Sequence, residues 1–308
     1  MNNNSIKNLG LLFAILFLGA SFSIGLEGLL KSILPEKNLK ASVSDAVEAA
    51  ARMGAFENIT LGAHAAFVLD LTTNKILFAQ NENEKLPLAS VTKTMTAFVA
   101  RENFETNTII TLTKDDLATE GDSGLLSGEK WQLGRLLDVM MLVSSNDAAH
   151  AIARFVGENE QTEKQKNADV ARLHFIQMMN EKAKALGLTS MEFFNESGLD
   201  VEPSKNGGYG SAHDVALLLT DLWSKYPSVV EITTRKDARI LSENGLAHIL
   251  PTTNEAQGHF AGLIASKTGY TTLAGGNLAI IFDIGIGHPV VAVVLGSTYQ
   301  GRFDDMQT

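Results

Sequence analysis

The sequence predicts an α/β protein of the α+β kind, with one antiparallel sheet flanked by helices and an inserted helical lobe. Short apolar runs bounded by turn residues, the pattern of strands, occur near residues 65–79 and again near 263–295. Between them, apolar residues recur at helical spacing. Strands, then helices, then strands indicate a single sheet assembled from both ends of the domain.

The strands are predicted from their length and their turns. Ala65–Leu69 and Ile76–Ala79 flank the turn Asp70–Lys75, which predicts an antiparallel hairpin. Near the other end, strands are expected at 263–268, 277–282 and 289–295, the last two forming a second hairpin.

The predicted helices follow from apolar periodicity. One begins near Ser90 and is buried by Val91, Met95 and Phe98. Further helices are expected at 133–141, 148–156, 170–186 and 212–223. Ser144 therefore falls in a tight connection between two helices, a place where functional polar groups are often held.

The N-terminal segment differs from the rest. Residues 9–26 are uncharged and mostly apolar, which is just long enough for a membrane anchor, while a cleaved signal peptide is the alternative. We therefore predict an anchor or signal at 1–26, a connector at 27–61 and one domain at 62–308. Within that domain the sheet lobe is expected at about 62–105 and 225–308, and the helical lobe at about 106–224.

Composition excludes several classes of function. A net charge of −10 without a basic block argues against a nucleic-acid partner. The absence of cysteine excludes disulfides, a thiol nucleophile and a cysteine zinc site. The seven histidines form no His-Glu-x-x-His pair, so neither a metal nor a cofactor is expected, and His150 is expected on a helix surface.

A possible nucleophile lies beside a possible base at Ser90-Val91-Thr92-Lys93. Positions i and i+3 share a helix face, so the Lys93 amine can reach the Ser90 hydroxyl. To act as a base, this amine must be made neutral by burial or by a neighbouring cation. The alternative is a Ser/Thr-rich helix start with a surface lysine.

Two further motifs follow in order. Ser144-Ser145-Asn146 is a Ser-x-Asn sequence, and Lys267-Thr268-Gly269 is Lys-Thr-Gly. Taken singly, they are also compatible with a helix cap and with a strand end followed by a turn. Ser-x-x-Lys, Ser-x-Asn and Lys-Thr-Gly together are the set found in penicillin-recognising serine enzymes.

The surroundings narrow this match to one family. From about Ala65 to Phe303 the chain resembles the D-alanyl-D-alanine carboxypeptidases, which are low-molecular-mass penicillin-binding proteins. The segments that carry the resemblance are 87–97, 126–129, 144–149, 197–200 and 267–275. The resemblance implies a β-lactamase/DD-transpeptidase-like fold with its active site between the lobes.

The resemblance also implies the catalytic roles. Ser90 attacks the penultimate D-alanine carbonyl, and Lys93 accepts its proton. Ser144 relays a proton to the leaving amine, and Asn146 holds Lys93 and the substrate amide. No cofactor is implied.

Substrate binding is implied for the later strand. Lys267 binds the terminal carboxylate and lowers the pKa of the general base, and Thr268 adds a hydrogen bond. Gly269 leaves room for the substrate. The backbone N–H groups of Ser90 and Tyr270 form the oxyanion hole, whose donors each contribute ~10²-fold or more to the rate.

The implied substrate is a peptidoglycan stem peptide ending in D-Ala-D-Ala, with β-lactams as covalent inhibitors. The implied location is the outer face of a bacterial cytoplasmic membrane, held through residues 9–26. The alternatives are a DD-endopeptidase, a β-lactamase and a wall-binding protein without turnover. A class A β-lactamase also needs a Glu-x-x-x-Asn pair, and 163–167 matches it only within a charged stretch close to the second motif.

Overall fold

The computed structural model describes residues 59–159 and 167–308. The strands are β1 (Ala65–Asp70), β2 (Lys75–Gln80), β3 (Leu86–Pro87), β4 (Ile109–Thr111), β5 (Lys130–Gln132), β6 (Glu192–Phe193), β7 (Gly208–Gly210), β8 (Asp237–Leu241), β9 (Ala247–Pro251), β10 (Leu263–Thr271), β11 (Gly275–Asp283) and β12 (Pro289–Ser297). The α-helices are α1 (Lys93–Asn103), α2 (Leu133–Leu142), α3 (Asn146–Asn159), α4 (Ala168–Ala185), α5 (Ala212–Lys225), α6 (Pro227–Glu231) and α7 (Gly301–Gln307).

The main sheet has five strands in the order β10-β11-β12-β1-β2, and every neighbouring pair is antiparallel. β1 lies beside β12 with Phe67 opposite Val293, so the two ends of the domain meet at the centre of the sheet. The predicted sheet and both of its hairpins are confirmed.

The two faces of this sheet bury different sets of side chains. Because side chains alternate along a strand, Ile281 and Val293 join the large core under the helices, while Ile280 and Val294 lie on the opposite face. That opposite face is covered in part by Phe303 of α7. Strands that are buried on both faces explain why the sequence shows continuous apolar runs there.

Helix α1 lies at the centre of the helical layer. Every residue from Lys93 to Ala100 is buried, and the helix packs against α2, α3, α4 and α5. A helix buried on all sides is normally apolar all round. Lys93, Thr94 and Thr96 are polar residues in that setting, so they need hydrogen-bond partners inside the protein.

Three small sheets accompany the main one. β8 and β9 form a hairpin, β4 pairs with β5, and β3, β7 and β6 form a short three-stranded sheet. The sequence indicates a short strand at 108–112, which is β4, but it does not predict the other strands of these sheets. In β8 only Ala238 and Ile240 are buried, and the charged Arg239 lies between them. Such short strands carry too few apolar residues to be recognised in the sequence.

The predicted anchor at 1–26 lies outside the described residues, as does all but the last part of the predicted connector at 27–61. Over residues 59–159 and 167–308, none of the helices combines the length and the apolar character needed to cross a bilayer. The division of the domain into two lobes stays a prediction.

Candidate active site

Ser90 and Lys93 lie where a short 3₁₀ turn, Ala89–Thr92, runs into α1. Lys93 is fully buried, and its Nζ donates hydrogen bonds to Ser90 Oγ at 2.9 Å, Asn146 Oδ1 at 2.7 Å and the Ser197 carbonyl at 2.8 Å. A hydroxyl can also donate, so the 2.9 Å contact is short enough to pass the Ser90 proton to a neutral amine. The surface-lysine alternative for Lys93 is therefore wrong.

Burial lowers the pKa of Lys93 to about 7, because a charged amine loses its hydration inside the protein, while the nearby Glu196 carboxylate raises it. The sequence leaves two causes open for a neutral Lys93, burial and a neighbouring cation, and the resemblance implies the charge of Lys267. Of these, burial is the dominant cause. Lys93 is thus available as a neutral base near neutral pH.

Ser144 connects α2 to α3 with a left-handed backbone, at φ 62°. This conformation is costly for a residue with a side chain and occurs often at functional sites. Lys267 Nζ donates to Ser144 Oγ at 2.8 Å and to the Thr268 carbonyl at 2.9 Å. Burial lowers the pKa of Lys267 well below its usual value, and the charges of Lys93 and Arg302 lower it further.

Both ends of the Asn146 side-chain amide are hydrogen-bonded. Its Oδ1 accepts from Lys93, and its Nδ2 donates to the Glu120 carbonyl at 2.6 Å. Neighbouring Ser145 is the residue that caps α3, because its Oγ accepts from the Ala148 amide at 3.0 Å. The capping alternative is thus correct for Ser145 but not for Ser144 or Asn146.

The Lys-Thr-Gly segment lies on β10 beside the 3₁₀ turn. Lys267 and Thr268 are buried, and Thr268 Oγ1 lies 2.6 Å from Thr253 Oγ1. A Cβ at Gly269 would come within 2.8 Å of the Leu88 carbonyl oxygen and 3.1 Å of the Ser90 nitrogen. Gly269 therefore allows the close approach of β10 to the backbone around Ser90. That it also leaves room for substrate stays a prediction.

The predicted site residues therefore fall into two neighbouring groups. Ser90, Lys93 and Asn146 are joined by hydrogen bonds, and Ser144 is bonded to Lys267. Tyr270 follows on β10 with its side chain 49% exposed. The oxyanion-hole role of its backbone N–H stays a prediction.

Sequence reasoning missed two residues at this site. Arg302, on α7, is buried and donates through Nη1 to the Gly269 carbonyl at 2.9 Å, with its guanidinium 4.4 Å from the centre of the Tyr299 ring. Asn206 donates through Nδ2 to Gly198 O at 3.1 Å and to Asp200 Oδ1 at 2.5 Å. Neither belongs to a short motif, so no local signal marked them.

The chain that carries this arrangement of Ser90, Lys93, Ser144, Asn146 and Lys267 is similar to known proteins. The family profile described as D-alanyl-D-alanine carboxypeptidase matches residues 50–298, which is most of the chain. The chain belongs to this family.

Among curated relatives of this family member, D-alanyl-D-alanine carboxypeptidase DacF of Bacillus subtilis is 31% identical over 215 residues. That match covers 68% of this chain and 51% of the relative, so the chain spans about half the length of that protein. A D-alanyl-D-alanine endopeptidase of Haemophilus influenzae is 30% identical over 249 residues, covering 78% of this chain and 79% of the relative.

A solved structure of the same fold is penicillin-binding protein D2 from Listeria monocytogenes in its ampicillin-bound form. It superposes with a TM-score of 0.67 at 29% identity, covering 81% of this chain and 96% of that one. The predicted β-lactamase/DD-transpeptidase-like fold is confirmed.

Proposed function

We propose that this chain is a serine-type D-Ala-D-Ala carboxypeptidase that removes the terminal D-alanine from peptidoglycan stem peptides. The observation that carries the proposal is the buried Lys93 amine, which lies 2.9 Å from Ser90 Oγ and has a pKa of about 7. A serine becomes a nucleophile only when a neighbouring base takes its proton, and such a base works best when its pKa is near the working pH.

In acylation, Ser90 Oγ forms a bond to the penultimate D-alanine carbonyl carbon as Lys93 Nζ takes the hydroxyl proton. The peptide C–N bond then breaks, and the departing D-alanine amine receives a proton along Lys93 and Ser144. Water hydrolyses the resulting ester, which releases the shortened peptide and restores the Ser90 hydroxyl.

The released residue carries a carboxylate, and the site has two cations for it. Lys267, on β10, donates to Ser144 Oγ, and Arg302 donates to the Gly269 carbonyl of the same strand. An anion bound near Lys267 favours the charged form of that amine, and a charged Lys267 in turn favours a neutral Lys93. Binding of the correct substrate would thus help to prepare the base.

The proposed partners follow from this chemistry. They are peptidoglycan stem peptides ending in D-Ala-D-Ala and β-lactam antibiotics, whose reactive carbonyl acylates the same serine. We further propose that the apolar segment 9–26 attaches the chain to the bacterial cytoplasmic membrane, with the catalytic domain on the outer side. Apolar length alone supports that location.

A DD-endopeptidase acting through the same site is the second candidate, favoured by the similarity to the Haemophilus influenzae endopeptidase over most of both chains. The two activities use the same acylation step and differ in the leaving group. A terminal D-alanine leaves in one case and a cross-linked peptide amine in the other. The exposed surface around the site, not Ser90 or Lys93, would decide between them.

Intact-protein mass spectrometry of the full chain after incubation with benzylpenicillin tests the proposal. We expect a lasting adduct on the wild type and none on Ser90→Ala. Rapid hydrolysis of the drug without an adduct would favour a β-lactamase. If the folded protein does not react at all, the proposed enzyme activity is overturned and a wall-binding protein without turnover is favoured. Release of free D-alanine from a pentapeptide, compared with cleavage of a cross-linked dimer, separates carboxypeptidase from endopeptidase.

A further inference from the structure

A buried charge cluster lies beside Lys93 and has no part in the mechanism above. Its centre is Glu196, whose side chain is only 2% exposed, in the loop between β6 and β7. Arg172 of α4 donates through Nη2 to both Glu196 carboxylate oxygens, at 3.1 and 3.2 Å. His150 of α3 places Nδ1 3.3 Å from Glu196 Oε1, so the expectation that His150 faces solvent is wrong.

The backbone of the same loop is bound to α1 at two places. The Glu196 carbonyl accepts from Thr96 Oγ1 at 2.6 Å, and the Ser197 carbonyl accepts from Lys93 Nζ at 2.8 Å. The contacts of the Glu196 carboxylate with Arg172 and His150 therefore also fix the carbonyl that orients the Lys93 amine.

A charge at this position is not explained by packing. A buried carboxylate costs several kcal/mol in lost hydration, whereas an apolar side chain would fill the same space without that cost. Burial alone would raise the pKa of Glu196, but the His150 contact and the Arg172 charge lower it below its usual value. The carboxylate is therefore ionised at neutral pH.

This negative charge acts on Lys93. Burial lowers the pKa of Lys93, whereas the Glu196 carboxylate raises it, and the resulting pKa is about 7. The titratable and charged groups around the amine come from every side: Glu196 from the loop, His150 from α3, Arg172 from α4 and Lys267 from β10. Glu196 is the anion among these groups: it accepts both Arg172 hydrogen bonds and lies 3.3 Å from His150 Nδ1.

We propose that Glu196 is a positioning residue for Lys93, whose orientation and readiness to take the Ser90 proton depend on the Glu196 charge and on the loop that carries it. The inference rests on the proposed function, because it assigns Glu196 a role through the general base of that reaction. Arg172 and His150 hold the carboxylate in place.

The test is the pH dependence of the second-order rate constant for Ser90 acylation by benzylpenicillin, measured from about pH 5 to about pH 9, where the base titrates. Glu196→Gln removes the anion and makes the ammonium form of Lys93 less favourable. The midpoint of the acid limb of the rate–pH profile is therefore expected to move to lower pH by roughly half to one unit. Arg172→Gln removes a cation and keeps the carboxylate, so its acid limb is expected to move to higher pH.

Two variants act as controls. Glu196→Asp keeps the charge and is expected to restore the wild-type midpoint. Glu192→Gln changes a glutamate whose partner Lys85 is also half exposed, and is expected to leave the profile unchanged. A purely structural role for Glu196 would lower the rate at every pH without moving the midpoint, and it gives no reason for the two glutamine variants to shift in opposite directions.

The outcomes separate the two proposals. A wild-type chain that is not acylated overturns the proposed function. If the wild type is acylated and its acid-limb midpoint equals the midpoints of Glu196→Gln and Arg172→Gln, the role of Glu196 is overturned and the proposed function stands. If Glu196→Gln does not fold, as judged by circular dichroism, the partly exposed Arg172 still allows the upward shift of Arg172→Gln to be tested, and its absence overturns the inference.

Discussion

Lys93 and Arg154 are both buried basic side chains in the helical layer, yet their surroundings are opposite. Arg154 Nε and Nη2 donate to the two carboxylate oxygens of Asp116, each at 2.8 Å, and Nη1 donates to Glu158 at 3.0 Å. Lys93 donates only to a hydroxyl, an amide oxygen and a backbone carbonyl. Within the described residues, the Arg154 guanidinium thus contacts carboxylates, whereas the Lys93 amine is bonded to neutral acceptors.

The consequence is seen in their proton affinities. Burial would lower the pKa of Arg154, but the hydrogen bond and charge of Asp116 raise it. For Lys93 the effect of burial prevails, and the pKa falls to about 7. A guanidinium is always charged, and contact with Asp116 stabilises that charge, whereas the Lys93 amine, bonded to neutral acceptors, can exchange its proton.

The largest expected effect concerns Lys93. Lys93→Met keeps the length of the side chain and removes the base. We expect Ser90 acylation by benzylpenicillin to fall by roughly 10²- to 10⁴-fold, the usual contribution of a general base, while the chain remains folded. Stopped-flow or mass-spectrometric acylation rates measure this, with the exposed Lys114→Met as control. A variant that is acylated at the wild-type rate would mean that another group is the base.

Arg154→Met is expected to give the opposite result. It leaves Asp116 buried without its cation, which costs about 3–5 kcal/mol of the free energy of unfolding. The rate constant for acylation of the molecules that remain folded should stay close to that of the wild type. Urea denaturation measures the loss, and Arg239→Met, an exposed arginine, should change stability by less than about 0.5 kcal/mol. Equal stability of Arg154→Met and wild type would contradict a structural role.

The smallest expected effect is a pH dependence of stability. The pKa of Lys93 is about 10.4 in the unfolded chain and about 7 in the folded protein. Between these two pH values the unfolded state binds more protons, so the free energy of unfolding rises with pH there. From pH 7.5 to 9 the contribution of Lys93 is about 2 kcal/mol. Lys267 adds to it in the same direction.

Denaturant unfolding at the two pH values, on wild type and Lys93→Met, isolates this contribution. The variant should gain less stability than the wild type as the pH rises. Equal gains in both proteins would show that Lys93 is already charged in the folded state.

The sequence was most informative where structure depends on local spacing. Strand β12 is apolar on both faces, so Val290–Leu295 could be recognised without knowing its neighbours. Ser90 and Lys93 lie within one helical turn, and their contact follows from helix geometry alone. The grouping of Ser144 with Lys267, in contrast, came from the family resemblance, because 123 residues separate them.

What escaped prediction depends on distant neighbours. Glu196 and His150 belong to no motif, and their burial results from packing of α3, α4 and a loop around α1. Arg302 belongs to no motif either, and its bond to Gly269 depends on how α7 covers the sheet. The choice between burial and a neighbouring cation as the cause of the low pKa of Lys93 stayed open for the same reason, since burial is a property of the whole fold.

Gly269 has a consequence for how this chain can evolve. Every other amino acid carries a Cβ, which here would meet the backbone around Ser90 at 2.8 Å. A side chain at this position would force β10 and the Ser90 turn apart. Changes to the site that keep the nucleophile in place are therefore expected at neighbours such as the half-exposed Tyr270, rather than at the joint between β10 and the Ser90 turn.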